Sequence, residues 1–209
     1  MSIRHARPLV AALAAILASV LGVTTALAAA TWTVRPGGPV SLTSEQLVVR
    51  DAATGSTLFC TPAHFRGTLH GGGGLSGTEI GAVTSGGSAQ CNGPLGLPFT
   101  LTATGLPWQV TFTSDNASEG RVTGHLGHVQ ATLAGMGCRA VIDGTSGTAS
   151  DGIVRFTYTN STATLRVLPK GGHLHFYDLS GCAGLFTGGD PVTISGNLSV
   201  SPKQTITSP

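Results

Sequence analysis

Charge is scarce in this chain of 209 residues: Lys, Arg, Asp and Glu together make up 10% of it, and aromatics only 5%. Nucleic-acid binding needs a concentrated basic patch that releases counterions from phosphates. None is present. Eleven basic residues stand against nine acidic ones, and with Arg4 and Arg7 set aside the two signs balance at nine each. Low charge combined with 41% hydrophobic residues also argues against a self-solvating, disordered chain. The aromatics Trp32, Trp108, Tyr158 and Tyr177 are too scattered to read as a sugar-stacking platform.

Catalytic signatures are equally thin. The nucleophile elbow G-x-S-x-G is missing. The glycine run GGGGLSG at 71–77 lacks the Lys-Ser/Thr of a phosphate loop. No C-x-x-C pair exists, which removes the simplest redox and zinc-ribbon readings. Several of the nine acids, among them Asp143, Asp151 and Asp190, sit beside glycine or proline, where aspartate commonly shapes a turn. A secreted hydrolase would need two of these acids, Asp178 included, to converge in a cleft. No cofactor motif is present, so a non-enzymatic role without a cofactor is the expectation.

The N-terminus carries the clearest signal. Arg4 and Arg7 precede an uncharged apolar run over about residues 9–23, and Ala26-Leu27-Ala28 has the small-x-small form of a cleavage site. This order predicts a signal peptide over residues 1–28 and a secreted all-β region over 29–209. No second apolar run of spanning length follows, so no transmembrane span is expected in the mature chain.

Strands dominate what remains. LPFTLTATG, WQVTFTS, GIVRFTYTN, ATLRVLP and DPVTISGNLSV alternate apolar and polar residues, with turn residues recurring about every 8–12 positions. Over 152–159, the alternation puts Val154, Phe156 and Tyr158 toward a core and Ile153, Arg155, Thr157 and Thr159 toward solvent. No helical period appears after the leader. The pattern predicts an antiparallel β-sandwich, immunoglobulin-like or related.

Cys60, Cys91, Cys138 and Cys182 all lie in the exported part. An even count in an oxidising compartment favours disulfides, with three pairings open. Cys60 and Cys138 each precede a Gly-Thr after a short spacer, and Cys91 and Cys182 each open Cys-x-Gly. This layout suggests two similar halves split near 115–137, and it favours Cys60–Cys91 with Cys138–Cys182.

The densest chemistry is GGHLHFYDLSGCAG at 171–184. Alternation puts Leu174 and Phe176 inward and His173, His175 and Tyr177 outward. Two histidines at i and i+2 can share one metal, given a third ligand such as His64, His70, His125, His128 or Asp178. An ordinary polar strand face is the plainer reading, and the one expected here.

The run CNGPLGLPFTLTATGLPWQV, the paired cysteines and the tail GDPVTISGNLSVSPKQTITSP resemble a group of small secreted proteins of high-GC actinomycetes. The cysteine and GLPW layout is also similar to exported activator proteins of bacterial alkane oxidation. The resemblance implies an exported β-protein acting at an apolar substrate or cell surface, and it brings no catalytic residues. The expected function is therefore a secreted, non-catalytic protein with a binding or structural role at the cell wall, the cell surface or an extracellular ligand. A secreted metal-binding protein using His173 and His175, or a secreted hydrolase, is the alternative.

Overall fold

The computed structural model describes residues 31–208, and the expected signal peptide lies outside them. The described chain is an all-β, antiparallel sandwich without an α-helix. In chain order its strands are β1 (Trp32–Arg35), β2 (Gly38–Ser44), β3 (Leu47–Asp51), β4 (Thr57–Cys60), β5 (Ala63–Leu69), β6 (Gly72–Leu75), β7 (Gly81–Asn92), β8 (Pro98–Thr104), β9 (Trp108–Asn116), β10 (Arg121–Gly135), β11 (Cys138–Asp143), β12 (Gly152–Thr159), β13 (Thr164–His173), β14 (His175–Ser180), β15 (Val192–Ser201) and β16 (Thr205–Thr207).

Three long strands hold the layers together by changing partners along their length. β7 begins between β5 and β9 and ends between β4 and β8. β10 begins between β9 and β12 and ends between β8 and β11. β15 begins on β3 and ends between β13 and β2. Pairing can therefore be followed around the molecule from β2 through β5, β7, β9, β10, β12, β13 and β15 back to β2. Joining the layers at both edges gives backbone groups at the seams partners that an open sheet would leave free.

The pairings also repeat. β5 lies between β2 and β7 as β12 lies between β10 and β13. β4 lies between β3 and β7 as β11 lies between β10 and β14. Both disulfides form, and they occupy corresponding places. Cys60–Cys91 joins residues directly opposite each other on β4 and β7, and Cys138–Cys182 joins the start of β11 to the residues just past β14.

Alternation sorts the faces. Val154, Phe156 and Tyr158 of β12 retain 7%, 1% and 2% of their exposure, so the inward set read from the sequence is the buried set. Trp108, whose surroundings the sequence leaves open, is buried against Phe65 and donates its indole N–H to the Thr104 carbonyl at 2.8 Å.

A small sheet of β16, β1 and β6 covers one end of the sandwich. It presses Trp32, Val34 and Ile206 onto Phe112, Val122 and Tyr158. A buried polar knot fastens it. The Tyr158 hydroxyl donates to the Gln204 carbonyl at 2.8 Å and accepts the Gln204 N–H at 3.1 Å. The Gln204 side chain accepts the Gly37 N–H at 2.8 Å and donates to the Pro202 carbonyl at 3.0 Å. Asn160 clasps Ile206 through both its amide atoms.

Burial pushes the Tyr158 phenol above its ordinary 10.0, outweighing the opposing contact with Gln204. The folded state therefore keeps this proton where the unfolded chain has lost it. The stability this confers is whole below pH 10 and is lost as the pH rises through the folded value. Denaturant midpoints measured from pH 8 to pH 11 should fall on the alkaline side. Tyr158→Phe should flatten that fall while lowering stability at neutral pH by about 1–3 kcal/mol, because the Gln204 backbone loses its buried partner.

Candidate functional site

The histidine-rich run spans two strands. β13 ends on His173 beside β12, and β14 opens on His175 beside β11. Leu174, at the crossing, is 4% exposed and Phe176 is 0% exposed, so both histidines stand on the outer side with Tyr177. The two imidazoles meet edge-on at 5.0 Å, and the Tyr177 ring follows at 6.3 Å.

Nδ1 of His175 lies 3.0 Å from the Gly144 carbonyl, which also accepts the Tyr177 hydroxyl at 3.0 Å. A carbonyl only accepts, so Nδ1 carries the hydrogen, and when the imidazole is neutral Nε2 is the nitrogen that presents a lone pair. Among the described residues no group of three or more His, Cys, Asp or Glu side chains is placed to hold a metal. The residues considered as a third ligand have other neighbours. His64 stands beside Thr43, and His128 Nδ1 lies 3.2 Å from the Ser150 carbonyl. His125 sits opposite Arg155 on the neighbouring strand, and burial and then the Arg155 charge hold its pKa below 6.5. His70 follows β5, and Asp178 lies on β14 with its backbone at φ 50°.

Five of the nine acids have side-chain partners. Asp143 is fully buried, and its carboxylate accepts from the N–H groups of Gly144, Ser150 and Asp151 and from the Gln130 amide. This one side chain organises the whole 144–151 loop. The Thr145 hydroxyl and N–H on Asp151 hold its carboxyl below the ordinary range, with the His173 charge a smaller contribution. Asp51 caps its own turn by accepting from Ala53 and Thr54. Asp115 accepts the Ser208 N–H, and Glu119 pairs with Arg121 at 2.8 Å. Sequence reasoning places Asp143 in a turn but misses the cluster that the loop gathers above β11 and β14, because Gln130 and the histidine strand join it only through tertiary pairing.

The site without a sequence signature lies inside. A cavity of about 110 Å³ runs between the layers. Phe65, Trp108, Phe112 and Phe156 line it together with valines and leucines from most of the strands. Its two largest polar neighbours, Tyr158 and Gln204, are bonded to each other. Small residues also lie on its wall. Ala103 of β8 faces Ala131 of β10 directly across the ladder, and both are buried on the cavity wall, with Gly87 of β7 close by. Water has no partners on such a wall, and dry apolar cavities of comparable size take benzene or xenon.

No protein-family model, curated protein or solved structure matches this chain. Among the described residues no helix is long and apolar enough to cross a membrane. The two disulfides fit an oxidising compartment.

Proposed function

We propose that this is an exported, non-catalytic binding protein that holds a small apolar molecule between its layers. The observation that carries this reading is the apolar cavity between the layers, whose wall includes Ala103 and Ala131. A void of about 110 Å³ costs about 2–3 kcal/mol at the usual penalty per unit volume. Retaining it in a sandwich whose layers are sewn together at both edges is consistent with use. The low charge and the two disulfides support a role outside the cell. The carboxylates support a non-catalytic role, since Asp51, Asp143 and Asp151 are committed to holding loops.

Benzene tests this reading. Thermal unfolding of the mature protein in benzene-saturated buffer should shift upward relative to benzene-free buffer, as for any ligand that binds only the folded state. Ala131→Leu fills the space from its wall. It should raise stability by about 1–2 kcal/mol and abolish the benzene shift. A wild-type protein indifferent to benzene would refute the reading.

A further inference from the structure

The wall of the cavity is interrupted at one place. β13 and β15 pair from Thr164↔Ser199 to Val167↔Gly196. Contact resumes only where the Val192 N–H donates to the Leu174 carbonyl at 2.8 Å. Between these points residues 168–173 of one strand face residues 193–195 of the other without a ladder. β12 does not fill the difference. Its register jumps from Arg155↔Leu168 to Ile153↔His173, so residues 169–172 bulge away opposite Val154 alone. The Arg155 Nε donates to the Gly171 carbonyl at 2.7 Å and holds the bulge, with Gly171 at φ 77°.

A second pocket, of about 180 Å³, occupies this gap. Its lining mixes the two sides of the wall. Val154, Leu174 and Val192 are buried core residues, whereas Ile153 and His173 are their outward-facing neighbours. A pocket lined from both faces passes through the sheet rather than lying on it. It shares Val154 and Ile194 with the interior cavity, so these two side chains separate the spaces. His175 stands at its rim, and the Nε2 lone pair makes no hydrogen bond among the described residues.

We infer that the gap between β13 and β15 is the mouth of the cavity, and that the ligand is an unbranched aliphatic alcohol whose chain passes inward between Val154 and Ile194 while its hydroxyl donates to His175 Nε2. This rests on the cavity reading and adds to it a route and a head group. A chain suits the route because the passage is bounded by two aliphatic side chains. A hydroxyl suits the rim because His175 Nε2 offers it an acceptor, which a plain hydrocarbon cannot use.

The test uses 1-octanol and benzene at pH 8 on the mature protein, with Trp108 fluorescence as the signal. Octanol should bind the wild type. His175→Phe should weaken octanol about fivefold more than it weakens benzene, the loss of one hydrogen bond. Thr193→Phe, which narrows the gap, should slow octanol binding and release tenfold or more with little change in affinity, and Leu168→Ala should quicken both. Thermal unfolding of each variant establishes that it is folded, and the opposed signs of the two rate changes separate access from general damage. Benzene binding without octanol binding would overturn this inference and leave the cavity reading standing. So would octanol rates unchanged in both rate variants, or equal losses for octanol and benzene in His175→Phe. Failure of both ligands on the wild type would overturn the two together.

Discussion

Removing either disulfide lowers the melting temperature by about 8–16 °C. Each bridge closes its own loop, with sequence separations of 31 and 44 residues and no overlap between them. In the chain-entropy account such loops contribute about 4 kcal/mol apiece. For a domain of this size that energy corresponds to the stated shift. The glycine content sharpens the effect, because 31 glycines give the unfolded chain much freedom to lose. The Cys60→Ala/Cys91→Ala and Cys138→Ala/Cys182→Ala pairs, followed by calorimetry, should show similar and nearly additive losses. Together they approach the whole net stability of a typical domain, about 5–15 kcal/mol, so the fully reduced protein should unfold near room temperature. A loss below about 1 kcal/mol for either pair would mean that the strand pairing already confines the chain that the bridge is held to confine.

Asp143→Ala is the most damaging single substitution expected, at about 3–4 kcal/mol. Its carboxylate receives four donors, the N–H groups of Gly144, Ser150 and Asp151 and the Gln130 amide, and the side chain is fully buried. Removing it strands charge-assisted partners, each of which costs more than an ordinary hydrogen bond to abandon. Asp143→Asn does not restore the site. One amide nitrogen must then face donors whichever way the group turns, since both carboxylate oxygens accept two bonds. Urea midpoints should fall in both variants, and limited proteolysis should find a new cleavage site within 144–151. The loop also supplies the Gly144 carbonyl that orients His175 and Tyr177, so octanol affinity should fall with it. An Asp143→Asn protein as stable as the wild type would show that water replaces these contacts freely.

Much of the fold was legible because period-2 alternation is local. Val154, Phe156 and Tyr158 face the core as the residues dictate, and Leu174 and Phe176 do the same. The disulfide pairing was legible from the repeated cysteine surroundings. The histidine run was only half legible. Its alternation continues through Leu174, so nothing in the residues marks the place where β13 leaves β12 and β14 takes up β11. Partner changes of this kind are tertiary, and alternation looks the same on either side of them. The cavity was illegible for a related reason. Ala103 and Ala131 are unremarkable in their own strands, and the space they help to line exists only once strands far apart in sequence are packed face to face. Trp32 and Val34 gave no hint of a covering sheet, because their partners lie on β6 and β16, the second of these at the far end of the chain.

Diffraction from crystals of the protein under xenon pressure tests the central claim most directly, since xenon locates dry apolar space without help from hydrogen bonds. The cavity account predicts xenon density between the layers, over the wall that includes Ala103 and Ala131, in the wild type and none there in Ala131→Leu. An interior free of xenon, or one holding ordered water on that wall, would contradict it.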